Sequence, residues 1–263
     1  MSRPPPLLEP YLSLTSLPPA SLTLLTSILG AATNWLVLRY LQSLLATAPS
    51  EPTAVLVVSF LRDYTFWKES ASRLGLDLEG LARKGRFGYV DGLSSLFTGA
   101  VAAGGSQQGQ RKWTLASPAL GDVGRVVGGA VDEMARGGRV ILVVDGLDFL
   151  VAATGETDEG VRGMLMGWRE KAHAAIVTAA ADEPLVAGHG TELEREHAGL
   201  VLSLAHEARI VLSLRLLDTG TARDVGGVVR ITRGGDDDGS VEDREYLYHV
   251  AGDGGARVFE RGQ

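Results

Sequence analysis

The stretch "TAVLVVSFL" at 53–61 is apolar and rich in β-branched residues, yet it does not alternate. A strand exposed on one face alternates apolar with polar residues. A strand covered on both faces reads as a continuous apolar run. "RVILVVDGLDFL" (139–150) gives the strongest signal of this kind, and "SLTLLTSIL" (21–29), "RFGYVDGL" (86–93), "HAAIVTAAAD" (173–182) and "ARIVLSLRLLD" (208–218) follow it. Between them lie helix-like patterns: "NWLVLRYLQSLL" (34–45), "DYTFWKESASRL" (63–74), "GDVGRVVGGAVDEMARGG" (121–138), and segments near 157–172 and 192–207. Asp63 suits an N-cap and Gly75 a C-terminal stop. Alternation of buried strands with helices predicts an α/β fold with a mainly parallel sheet and helices on both faces.

The tail differs in kind. "GGVVRITRG", "REYLYHVAG" and "ARVFERGQ" read as hairpin-connected strands, which adds an antiparallel edge. The acidic, glycine-bearing "GGDDDGSVEDRE" separates the first two. Prolines at 4, 5, 6, 10, 18 and 19 make residues 1–19 an N-terminal arm, leaving 20–263 as one domain. A turn is expected at "APSEP", and a low-complexity loop in "TGAVAAGGSQQGQRKW" (98–113). No repeat at solenoid period is visible.

Composition excludes several function classes. The chain has no cysteine, so disulfides, thiolate metal sites and cysteine nucleophiles are out, and a reducing compartment fits. A net charge of −7 argues against a stand-alone nucleic-acid binder, though a local basic surface or a partner can supply positive charge. Pro10 to Leu38 carries no charge, but Pro18 and Pro19 and six Ser, Thr or Asn residues between 20 and 38 interrupt it. A buried strand, loop and helix explain this better than a membrane span, which needs about 20 mostly apolar residues.

A phosphate-binding loop would sit between the first strand and the first long helix. The Walker A pattern is G-x-x-x-x-G-K-[ST]: glycines let backbone N–H groups close on phosphate, lysine neutralises it, and a hydroxyl holds magnesium. From Gly30 this chain reads G-A-A-T-N-W-L-V. Trp35, after Asn34, replaces the second glycine, Leu36 the lysine and Val37 the hydroxyl residue. Asp145, ending the apolar run "VILVVDG", stands where a Walker B acid would hold magnesium. It also reads as a cap of the turn that follows.

Other signals are weaker. The histidines at 173, 189, 197, 206 and 249 show no HExxH or H-x-x-x-H spacing, and Glu194 with His197 reads as helix surface. Neither a G-x-S-x-G elbow nor a first-turn G-x-G-x-x-G is present. Basic residues cluster at Arg83, Lys84 and Arg86. Arg111 and Lys112, beside Trp113, close the glutamine-bearing loop and are candidate nucleic-acid contacts, or else a solvated loop end.

Residues 59–97, "SFLRDYTFWKESASRLGLDLEGLARKGRFGYVDGLSSLF", resemble the family of the sixth subunit of the Elongator complex. The runs "VSFLRDYTFW", "RLGLDLEGL" and "RFGYVDGLS" carry the resemblance in the family's order. "ILGAATNWLVLRYL" and "VILVVDGLDFLVAATG" agree with it, and it spans essentially the whole chain. The resemblance implies a RecA-like fold without Walker motifs, no catalytic residues and no cofactor. It implies a hetero-hexameric ring with the paralogous fourth and fifth subunits, two copies of each, in cytoplasm and nucleus. Such a ring binds tRNA, with release modulated by nucleotide. It docks on the catalytic subcomplex that modifies wobble uridines at carbon 5. In a ring, the helix after Gly30 and the aromatics Tyr64, Phe66 and Trp67 are candidates for subunit interface, or equally for core. The competing expectation is a nucleotide hydrolase in which Asp145 holds magnesium and a neighbouring subunit supplies the missing cation.

Overall fold

A computed structural model describes residues 4–46, 53–98, 111–187, 190–217, 224–236 and 239–261. The expected "APSEP" turn, most of the glutamine loop and His189 lie outside them. A short N-terminal helix, α1 (Glu9–Leu12), precedes β1 (Leu22–Ser27), α2 (Asn34–Leu45), β2 (Thr53–Ser59), α3 (Tyr64–Arg73), α4 (Leu78–Arg83) and β3 (Phe87–Asp91). Then come α5 (Ser94–Thr98), β4 (Lys112–Thr114), α6 (Leu120–Ala135), β5 (Arg139–Asp145), α7 (Phe149–Thr154), α8 (Asp158–Arg169) and β6 (Ala174–Ala180). The last elements are α9 (Glu183–Val186), α10 (Glu192–Glu207), β7 (Ile210–Arg215), β8 (Gly227–Arg233), β9 (Arg244–Val250) and β10 (Ala256–Phe259).

The strands form one sheet in the order β10-β9-β8-β7-β1-β6-β5-β2-β3-β4. From β7 to β4 every pairing is parallel, and β8, β9 and β10 add the antiparallel edge expected of the tail. The non-alternating runs have a simple cause. In β2, Val55 and Val57 enter one core while Ala54, Leu56 and Val58 enter the other; β5 splits its residues the same way, Ile141 and Val143 against Val140, Leu142 and Val144. Helices α2, α3 and α4 cover the first face, and α6, α7, α8 and α10 the second.

Helix α2 is buried nearly all round, from Trp35 to Leu45, as expected when a helix has no solvent face to populate with charge. The sheet covers one side. Leu8, Leu12 and Leu17 of the proline-rich N-terminal segment are buried in the same core. On another side, the wholly buried Arg39 donates to Gln42 Oε1 and, from Nη2, to the Gly254 carbonyl, each at 2.8 Å. Burial lowers the Arg39 pKa, with Asp253 opposing that shift. The charge-free stretch after Gly30 is therefore core. Among the described residues no helix is long and apolar enough to cross a membrane.

Some boundaries differ from the sequence reading. The strand expected over 139–150 ends at Asp145, because Gly146 turns the chain at φ +79°. A Cβ there would lie 2.4 Å from Leu61 Cγ, so the turn requires glycine twice over. Phe149 to Thr154 then forms α7. Helix α4, capped by Asp77 through Gly80 N at 2.9 Å, was not anticipated.

Candidate functional site

After β1 the chain leaves to one face of the sheet through α2; after the adjacent β6 it leaves to the other through α9 and α10. Such a switch point opens a crevice at the C-terminal strand ends, where α/β proteins bind ligands. Here it is a pocket of about 430 Å³ between residues 27–33 and 178–182, with Leu61, Arg62 and Asp148 on its other walls.

The loop that would cradle phosphate is committed to packing. Gly30 adopts φ +89°, and a Cβ there would meet Leu216 Cδ1 at 3.2 Å. Trp35 is buried and stacks on Tyr248 of β9, centroids 4.9 Å apart, while Leu36 and Val37 are wholly buried. Asn34, half-buried, only begins α2. The Leu29 N–H, in the loop where phosphate would be approached, donates to Asp182 Oδ1 at 2.7 Å. These residues do not fit a nucleotide phosphate: a carboxylate already takes a loop donor, and apolar side chains stand where the lysine and the metal-binding hydroxyl belong.

Asp145 is also occupied. It ends β5 opposite Ser59 of β2 and is wholly buried. Ser59 Oγ donates to Oδ2 at 2.7 Å, and Arg62 Nη1 donates to both carboxylate oxygens at 3.0 Å. Thr178 Oγ1 lies 3.4 Å from Oδ1 and itself accepts from Gly146 N at 2.8 Å. Asp145 thus does not cap its own turn; it ties the β2 loop to β5 and β6. Arg62 is held in turn by the Phe66 ring, 5.2 Å from its centroid, and its carbonyl accepts from Tyr89 Oη at 2.6 Å.

This arrangement accounts for two of the three aromatics. Phe66 supports Arg62, and Trp67, wholly buried in the first core, meets Phe66 edge-on at 5.4 Å. Trp67 is part of this chain's own core. Tyr64 is half-buried against Tyr89, and Lys112 Nζ sits 3.6 Å from its ring centroid. Burial pushes the Tyr64 hydroxyl up to about 12, with Glu79 and Asp77 adding to the shift, and lowers the Lys112 ammonium against the pull of Glu79. Arg111, at φ +48°, donates from Nη1 to Met134 Sδ at 3.0 Å. Both cations of the loop end are turned back onto the protein. Arg86 likewise serves α2, donating to the Leu44 and Leu45 carbonyls at 3.2 and 3.1 Å.

His197 is not the surface residue expected. It is buried, with Nε2 2.9 Å from the Ala180 carbonyl, while Glu194 completes a capping box with Thr191. No metal-ligating cluster occurs among the described residues. The sequence reading missed Arg62, Asp148 and Asp182. Asp148 lies at the pocket wall, takes a hydrogen bond from Ala180 N at 3.3 Å, and burial raises its pKa above the ordinary carboxylate value.

A parallel sheet with an antiparallel edge, helices on both faces and a crevice at the β1–β6 switch point define a RecA-like α/β protein. Solved structures agree on the fold: the chain is similar to a KaiC-like protein, PH0186, of the hyperthermophilic archaeon Pyrococcus horikoshii OT3, with TM-score 0.61, 15% identity and coverage of 98% of this chain and 97% of that one. It is also similar to the uncharacterized protein PH0321 of Pyrococcus horikoshii, solved with an unknown peptide, with TM-score 0.58, 14% identity and 93% coverage of each chain. The family model for Elongation complex protein 6 matches residues 11–251, and the chain belongs to that family. A search of curated protein sequences found no match.

Proposed function

We propose that this chain is a non-catalytic subunit of a hetero-hexameric ring, formed with the paralogous fourth and fifth Elongator subunits. The ring binds tRNA and supports carbon-5 modification of wobble uridines by the catalytic subcomplex, in cytoplasm and nucleus. Membership of the Elongation complex protein 6 family makes the chain an Elongator subunit. The observation that favours a non-catalytic role is the crevice itself: a wholly buried Asp145 bonded by Ser59 and Arg62, beside a loop packed through Trp35, Leu36 and Val37. A hydrolase reading would need Asp145 released from Arg62 before it could serve a metal.

The test is co-expression with both paralogues, followed by native mass measurement and tRNA binding across a salt series. The reading expects a six-subunit mass with two copies of each chain, and tRNA affinity that falls with salt. Arg111 and Lys112 remain the proposed contacts of this chain. Replacing both by alanine should flatten the slope of log affinity against log salt by about 0.7–0.9 per lost phosphate contact. A monomeric chain indifferent to both paralogues would overturn the ring. An unchanged slope would remove these two residues from the tRNA path.

A further inference from the structure

The run "DDDGSVEDRE" (236–245) holds six acids and one hydroxyl, that of Ser240. Acids lie on both sides of the serine, with Glu242 and Asp243 two and three residues after it. Protein kinases select substrates by charge pattern, and this one suits a kinase whose cleft is basic. Ser240, Glu242 and Asp243 are exposed, and residues 240–243 belong to no helix or strand, so the segment can enter such a cleft. Thr191 also has an acid three residues on, but its hydroxyl is engaged in the α10 capping box.

The backbone around Ser240 is held against a cation. Gly234 N donates to the Arg209 carbonyl at 3.0 Å, Asp236 N donates to the Ala208 carbonyl at 3.1 Å, and Val241 is buried in the first core. A Cβ on Gly234 would strike the Ala208 carbonyl, so the β8–β9 connection lies backbone to backbone on the turn before β7. There Arg209 Nη2 donates to Ser240 Oγ. Arg209 Nη1 reaches the Ser16 carbonyl of the N-terminal segment at 3.5 Å. The three segments border a cavity of about 630 Å³, with Tyr11 and Arg244 also on its wall. The acids lining it are Glu242 and Glu260, and Glu242 is paired with Arg244.

We propose that Ser240 is a phosphorylation site for an acid-directed protein kinase, and that Arg209 receives the phosphate in the cavity beside it. Ser240 Oγ attacks the γ-phosphorus of a nucleoside triphosphate. An Oγ–P bond forms, the bond from that phosphorus to the β,γ-bridging oxygen breaks, the nucleoside diphosphate leaves, and the hydroxyl proton passes to the kinase's base. The phosphoserine carries nearly two negative charges and three acceptor oxygens, which the planar Arg209 fork can take in pairs. Because Arg209 already reaches Ser16, the modification clamps the β8–β9 connection to the N-terminal segment. The proposal is independent of the ring reading.

The test treats the full chain with a purified acid-directed serine kinase and Mg·ATP, maps the phosphate by mass spectrometry, and compares melting before and after. Phosphate should enter at Ser240, at least about tenfold faster than at any other hydroxyl, and Ser240→Ala should lose that incorporation. The phosphorylated chain should melt about 2–4 °C above the unmodified one, the shift expected of one added charge-assisted pair in a chain of this size. Arg209→Gln keeps the backbone bonds that hold the segment, so it should still be phosphorylated, and its own melting should not rise. Incorporation that bypasses Ser240 would overturn the proposal. So would phosphorylation at Ser240 that leaves wild-type melting unchanged or lowers it, or that raises melting equally in Arg209→Gln.

Discussion

Replacing Arg62 by alanine is the most informative single perturbation of this fold. Asp145 is wholly buried and Arg62 is 22% exposed, so the two halves of the pair are unequal. Removing Arg62 strands a buried carboxylate, and breaking such a pair costs about 3–5 kcal/mol. Ser59 Oγ continues to donate to it, so the lower end, about 3 kcal/mol, is expected. Asp145→Asn should cost less, about 1.5–3 kcal/mol for a lost charge-assisted hydrogen bond, because Arg62 can turn toward water. The double variant Arg62→Ala/Asp145→Asn carries no stranded charge and should be more stable than Arg62→Ala alone. Neighbouring residues of this kind couple by about 0.5–3 kcal/mol. For a chain of this size about 3 kcal/mol corresponds to roughly 6–12 °C in Tm. Urea and thermal unfolding of the four proteins read both quantities. An Arg62→Ala variant within about 0.5 kcal/mol of wild type, the range of ordinary surface changes, would refute the reasoning.

Rebuilding a phosphate loop by Trp35→Gly and Leu36→Lys should unfold the chain rather than awaken it. It removes the ring stacked on Tyr248, at about 3–5 kcal/mol, and desolvates a lysine at a wholly buried position; circular dichroism melting checks this, and a folded variant that binds ATP would contradict it. Gly129→Ala in α6 and Gly163→Ala in α8 should each stabilise by about 0.5–1 kcal/mol, since both glycines sit inside helices with nothing within 4 Å of a new Cβ. Urea midpoints measure that gain. The raised pKa of Asp148 means the folded chain holds this proton more tightly than the unfolded chain. Its contribution to stability is therefore present at acid pH and lost as pH rises from the ordinary carboxylate value through the raised one. Asp148→Asn should leave Tm unchanged near pH 4 and raise it at pH 7, with the opposite pH trend counting against burial as the cause.

The architecture was legible because burial leaves a strong mark on sequence. The α2 pattern over 34–45 and the α10 pattern over 192–207 match their helices residue for residue, and Asp63 caps α3 through Phe66 N at 2.9 Å. The parallel sheet followed from runs that feed two cores at once. What was not legible depends on register. Ser59 meets Asp145 only because β2 and β5 pair with those residues opposite each other, 86 positions apart in sequence. Arg62 gave a partial hint, as a cation just past a fully buried strand, but its partner could not be read from spacing. His197 looked like surface because the helical pattern does not reveal that its ring reaches the Ala180 carbonyl. Asp182, beside the first loop, is brought there by the β1–β6 pairing and has no local signature.

The central claim is that this chain keeps a RecA-like fold whose nucleotide crevice has been given over to packing and pairing. Phosphate release from Mg·ATP tests it most directly, measured on the purified chain and on the same chain assembled with both paralogues, each beside Asp145→Asn. The account predicts no turnover above background from the chain alone, and turnover in the assembly that Asp145→Asn leaves unchanged. Turnover by the chain alone that disappears with Asp145→Asn, while the variant stays folded, would contradict it.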